Sequence, residues 1–216
     1  MRPQWREENR RVSGANSSRD AGTKSSPDLM NRLEVQVAIV LAAWFCTGGA
    51  GIGFTAISGP DEPRYAAACR TMIETGDWTI PRYNGRVRLV KPILIYWLIS
   101  AASLATGGEV TPFAARLPAS LSGLVLALST LWIGRRLFDP RVGLLGAVIL
   151  CATPLFAQMS RIALSDMILA ACIAAALAGF VEAESSGGSP LRRATALAVF
   201  YLFLGLGCLA KGPFLG

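Results

Sequence analysis

Long runs without charge restrict this chain more than any motif does. Residues 35–57 are 23 in a row with no acid or base, and about 20 such residues cross a bilayer as a helix. Residues 117–134, 142–160, 162–181 and 194–210 repeat the pattern. The third of these five runs holds Pro154, which a membrane helix tolerates, and the fourth holds Asp166 near its start. Only 16% of the residues are charged, against roughly 25% in soluble domains. An all-α membrane protein with five spans is therefore expected.

A sixth apolar segment, residues 92–106 ("PILIYWLISAASLAT"), has 15 residues. As a helix it would cover about 22 Å of a core about 30 Å thick. It reads as a helix lying in the membrane interface, where Tyr96 and Trp97 suit the depth. That choice sets the side of every later loop. With 92–106 interfacial, the basic segments 1–34, 135–141 and 184–193 share one side, which the positive-inside rule makes the cytoplasm. The long loop 58–116 then faces outward, although it too carries seven Lys or Arg. Long loops obey the charge rule weakly, so function is the reason sought for those cations.

The formal charge of +7 is explained by basic residues at the ends of apolar runs and does not indicate nucleic acid. Residues 1–34 are polar and basic with nothing to bury, and read as a disordered cytoplasmic tail. The first apolar run begins too late and is too long for a cleaved signal, so it stays as an anchor. Five cysteines without CxxC spacing, and no histidine, argue against a zinc site. The cysteines read as small apolar residues in helices.

"GAGIGFTA" has the spacing of a dinucleotide loop but lacks the strand and helix that such a loop joins. Close helix packing by small residues is the expected use. Asp61 and Glu62 follow Gly59 and Pro60, ahead of "EPRYAAACRTMIETG", an amphipathic helix closed by Gly76. They have two readings: charges capping that helix, or a general base at a membrane surface. Arg64, Lys91 and Lys211 read either as interfacial cations with buried stems or as phosphate binders. Asp166 is an acid at the edge of a membrane segment, a position that is costly and usually functional. Arg161 is its expected partner.

The run "DEPRYAAACRTMIETGDWTIPRYNGRVRLVKPILIYWL" resembles the first outer loop of the aminoarabinose transferase and protein O-mannosyltransferase superfamily, integral membrane glycosyltransferases of the GT-C fold. The similarity continues through "FAARLPASLSGL", "GRRLF", "SRIALSDMILA" and "LAKGP", covering most of residues 61–213. The resemblance implies a GT-C helical bundle whose long first outer loop carries juxtamembrane helices. It also implies transfer of a sugar from a polyprenyl-phosphate carrier to a lipid or protein acceptor on the non-cytoplasmic face of the plasma (inner) membrane. Asp61 matches the family's catalytic carboxylate and Asp166 its second acid. Glu62, Arg64, Lys91 and Lys211 match positions that hold substrate, the three cations at the carrier phosphate or an anionic acceptor. The family's EKPP is here "VKPI": Val90 replaces a glutamate able to ligate a metal, and with no histidine present a divalent metal is not expected there. The family carries further spans, so this chain is expected to be the N-terminal part of such an enzyme. Two other readings are a transporter or flippase using intramembrane carboxylates, for which no internal repeat is visible, and a non-catalytic membrane fragment.

Overall fold

The computed structural model describes residues 31–212. Of the tail expected over 1–34, residues 1–30 lie outside the described residues. The described chain is mostly helical. Helix α1 (Leu33–Trp44) runs on as a wider π turn over Phe45–Gly49, and α2 covers Glu62–Thr75. A hairpin of β1 (Arg82–Tyr83) and β2 (Arg86–Val87) precedes α3 (Leu94–Ala105). Then come α4 (Pro112–Leu137), α5 (Pro140–Ala152), α6 (Pro154–Ser160), α7 (Ser165–Glu184) and α8 (Pro190–Lys211). The hairpin pairs Arg82 with Val87 and Tyr83 with Arg86, and turns on Asn84 and Gly85 at φ 51° and 71°, values that an Asn-Gly pair accepts readily.

Local chemistry sets the helix starts. Helices α4, α5, α6 and α8 each begin on proline, whose missing N–H costs nothing in a first turn. The Thr111, Asp139 and Thr153 side chains cap three of these starts. Helix α2 closes at Gly76, in the left-handed conformation at φ 71°.

Two expected spans are interrupted. Residues 142–160 do not form one helix: α5 and α6 meet at a 68° bend. Thr153 is extended there, and its hydroxyl caps Phe156 N–H ahead of Pro154, because proline disfavours helical geometry in the residue before it. Nor does the first helix run through residues 35–57; it ends at Gly49, Ala50 is extended, and Gly51 turns at φ 74°. Gly51 therefore makes a turn rather than a packing face. By length and composition α4, α7 and α8 can each cross a membrane, and α5 with α6 form a fourth, bent candidate. Exposed Leu145, Ile149, Leu202 and Leu204 suit lipid-facing surfaces of such helices.

The bundle has two chemically different ends. At one, Glu182 near the end of α7 bonds Arg136 of α4 and Arg192 of α8 at 2.8 and 2.6 Å, and Gln36 of α1 donates to the Pro140 carbonyl at 2.8 Å. Asp166 begins α7 at the opposite end, about 24 Å from Glu182 along the helix axis. That end also holds α2, the hairpin, α3 and the start of α4. The chain leaves after α1 and returns in α4 at this same end, so α3 does not cross the bundle. One apolar core lies here, around Tyr65, Cys69, Met72, Ile95, Tyr96 and Ile99. A second lies between α1, α4 and α5, around Val40, Ala127, Leu131 and Ala147. Between α4 and α5 the backbones nearly touch: a Cβ on Gly134 would lie 2.5 Å from the Gly143 Cα.

Candidate active site at one end of the bundle

An arginine inside apolar helix must find partners, since a buried charge without them is costly. Arg116, one turn into α4, is 3% exposed and finds them all in the first loop. Its Nε and Nη2 donate to the two carboxylate oxygens of Glu62 at 2.9 and 2.8 Å. Nη1 donates to the carbonyls of Ile52 and Thr55, and Nη2 to that of Ala56, each at 2.9 Å. Glu62, also 3% exposed, accepts from the backbone N–H groups of Ala163 and Ser58 at 2.8 and 3.2 Å. Burial pushes its carboxyl up. The hydrogen bonds from Arg116, Ala163 and Ser58, with the Arg116 charge, outweigh burial and hold it below its ordinary value of 4.5. Glu62, expected among the groups that hold substrate, fastens α2 onto α4 and the α6–α7 link and, with Asp61, lines one hollow.

Asp61 is differently placed. It occupies the N-cap position of α2, yet its side chain caps nothing. The carboxylate, 39% exposed, faces two guanidinium groups instead: Arg64 and Arg88, each 3.6 Å away. Capping is thus not its role, and an oxygen remains open to a hollow of about 480 Å³ lined by Thr55, Ser58, Gln158 and Arg161. Tyr65 beneath it is 1% exposed. Burial, helped by the neighbouring Tyr96 and Asp61, pushes its phenol up to about 12, so it stays neutral near neutral pH.

Lys91 and Lys211 come together. They line one hollow of about 350 Å³ whose other walls include Leu89, Val90, Pro92 and Ile93. Lys91 has no hydrogen-bond or ion-pair partner among the described residues, whereas Lys211 pairs with Asp166. Arg161 does not pair with Asp166 as expected: its Nε and Nη2 donate to the carbonyls of Thr47 and Cys46 in the π turn, at 2.7 and 3.3 Å. All six expected site residues share one end of the bundle, but Asp61 and Glu62 line one hollow, Lys91 and Lys211 another, and Arg64 and Asp166 line neither. A larger hollow, about 770 Å³, lies elsewhere, among α4, α7 and α8, and holds none of them.

The remaining motif residues shape the loop. Asp77 accepts from the Thr79 hydroxyl at 2.7 Å and the Thr79 N–H at 3.1 Å, and the Trp78 carbonyl accepts from the Trp97 indole at 2.8 Å. "GDW" and "YW" are thereby joined. Among the described residues no group of three or more His, Cys, Asp or Glu side chains converges as a metal site. Two residues absent from the expected site also face its adjacent acids: Arg88, as near Asp61 as Arg64 is, and Arg116, paired with Glu62.

Residues 57–215 match the family model described as dolichyl-phosphate-mannose-protein mannosyltransferase. An undecaprenyl phosphate-alpha-4-amino-4-deoxy-L-arabinose arabinosyl transferase 2 of Sodalis glossinidius is 31% identical over 158 residues, covering 73% of this chain and 28% of the relative. The arabinosyl transferase of Edwardsiella ictaluri is 31% identical over 150 residues, covering 69% and 26%. Among solved structures, ArnT from Cupriavidus metallidurans, in the apo state and bound to undecaprenyl phosphate, aligns with a TM-score of 0.73 at 28% identity, over 83% of this chain and 32% of that one. The Archaeoglobus fulgidus oligosaccharyltransferase, at 16% identity and a TM-score of 0.66, shares the fold. This chain spans about a quarter to a third of the length of the ArnT-type relatives.

The Glu62 environment has a testable pH signature. A carboxyl lowered by folding stabilises fully above its unfolded value, and that stability is lost as pH falls through the lower folded value. Thermal unfolding in detergent should show no change from this group between about pH 8 and 6, and a falling midpoint below about pH 4.5. Glu62→Gln should flatten that acid limb. An unchanged limb would mean that Glu62 gains nothing from its partners.

Proposed function

We propose, from the fact that this chain belongs to the dolichyl-phosphate-mannose-protein mannosyltransferase family and has its all-helical GT-C membrane fold, that it forms the donor-binding part of a glycosyltransferase. The reaction moves a sugar from a polyprenyl-phosphate carrier to a lipid or protein acceptor. One observation carries the reading: two lysines from distant parts of the chain line a single, largely apolar hollow, and Lys91 has no ion-pair partner among the described residues. An anionic headgroup on a long hydrocarbon tail matches that combination. The phosphate meets Lys91 and Lys211, and the tail follows the apolar surface into lipid. The relatives named above act on, or are bound to, undecaprenyl phosphate by name.

In the mechanism that follows, the acceptor hydroxyl oxygen attacks the anomeric carbon opposite the phosphate. The bond from that carbon to the phosphate oxygen breaks, and its electron pair leaves on the phosphate, whose growing charge Lys91, Lys211 and Arg64 stabilise. Asp61 takes the hydroxyl proton, or orients an acceptor that is already ionised. Asp166 holds the Lys211 ammonium in place through their ion pair. A single displacement inverts the anomeric configuration. The protein is an integral membrane protein. The basic end, with Arg136 and Arg192, is assigned to the cytoplasm by the positive-inside rule, which puts the chemistry on the outer face of the plasma membrane.

Two experiments test this. In membranes carrying the protein and supplied with undecaprenyl-phosphate-linked sugars, Asp61→Asn should abolish transfer while membrane insertion is kept. Lys91→Ala should weaken undecaprenyl phosphate binding about tenfold. Undiminished transfer by Asp61→Asn excludes the base assignment, and undiminished binding by Lys91→Ala excludes the phosphate assignment. For sidedness, with native cysteines replaced, a membrane-impermeant thiol reagent applied from outside should label Val87→Cys and spare Leu137→Cys. The reverse pattern would put the site on the cytoplasmic face.

A further inference from the structure

Leu89 and Val90, the two residues before Lys91, are 76% and 69% exposed and anchor nothing. The last anchored side chain ahead of that lysine is Arg88. Its amide donates to the Pro81 carbonyl at 2.8 Å, closing the base of the hairpin. Its guanidinium turns inward, with the side chain only 14% exposed, lies 5.9 Å from the centroid of the Tyr65 ring, and places Nη2 3.6 Å from the Asp61 carboxylate. Nε and the hydroxyl of Tyr96 are both buried with no hydrogen-bond partner within ordinary distance among the described residues. Arg64 stands equally near Asp61 but is 46% exposed and sits on the same helix turn, so it is less constrained and ties no other element to the carboxylate.

We propose that Arg88 is a positioning residue that fixes the Asp61 carboxylate and couples it to the base of the hairpin, three residues before Lys91, so that the proton-accepting group and the segment leading to the phosphate-holding group keep a constant spacing. The proposal rests on the roles given to Asp61 and Lys91 above. Arginine suits the task where lysine would serve it partly. A planar guanidinium stacks on an aromatic face and presents several fixed donors at once, whereas an ammonium supplies charge from a flexible stem. Small errors in placing reacting groups are costly, since about 1 Å can lower a rate a hundredfold.

The test uses whole protein in nanodiscs with undecaprenyl-phosphate-linked sugar as donor. Arg88→Gln should lower kcat about ten- to a hundredfold and leave the donor KM nearly unchanged, with Arg88→Lys recovering much of the loss. If wild type transfers sugar and Arg88→Gln matches it, or if both Arg88 variants lose activity only in step with their unfolding temperatures, the positioning role is overturned while the site assignment stands. Hydrogen exchange over residues 82–90 gives a readout independent of turnover. It should rise in Asp61→Asn and in Arg88→Gln and rise no further in the double variant. Absence of transfer by wild type would refute the function proposed above, and exchange that is unchanged in both single variants would refute the tie itself.

Discussion

The buried pair of Arg116 and Glu62 is the joint on which the rest of this structure depends. Neither charge could stay out of water alone, and their attraction offsets the desolvation only because every remaining donor and acceptor is also used. The carbonyls of Ile52, Thr55 and Ala56 and the amides of Ser58 and Ala163 complete the set. Three separate pieces of chain are thereby held at one point: the turn after α1, the start of α2, and the link into α7. Asp61 adjoins Glu62 in sequence, and Asp166 lies three residues beyond Ala163. The joint helps to wall the hollow at Asp61, and it decides where two of the expected acids stand.

Much of the bundle was legible because the physics is one-dimensional. Uncharged runs mark membrane helices, and prolines preceded by Thr or Asp mark their starts. The bend at Pro154 was not legible, because membrane helices often accommodate proline and only the extended Thr153 shows that this one does not. The early end of α1 has a visible signal in "GGAGIG", whose glycine density favours a turn as well as a packing face. The adjacent pair Asp61 and Glu62 gives no sign in sequence of which of them is buried. Neighbouring residues on a helix point about 100° apart, so one faces the core and the other the surface, and their fates separate. Arg116 had a signal too, as a lone arginine at the edge of an apolar run. Its acceptors are mostly backbone carbonyls, which no residue pattern reveals.

The charges sort the molecule functionally. One end carries arginines neutralised in part by Glu182. The other carries the two lysines, the two exposed acids and Arg88. Lys91 and Lys211 come from positions 120 residues apart, and their meeting is the kind of convergence that a spacing motif cannot express. Two separate hollows lie at this end, one lined by Lys91 and Lys211 and the other by Asp61.

The claim that one buried ion pair organises the reactive end is tested most directly by a double-mutant cycle on unfolding free energy in detergent, using Glu62→Gln, Arg116→Met and the double variant. The account predicts a coupling of about 2 kcal/mol or more, well beyond that of an exposed pair, with the double variant more stable than the sum of the single losses implies. Additive losses, with a coupling near zero, would contradict it.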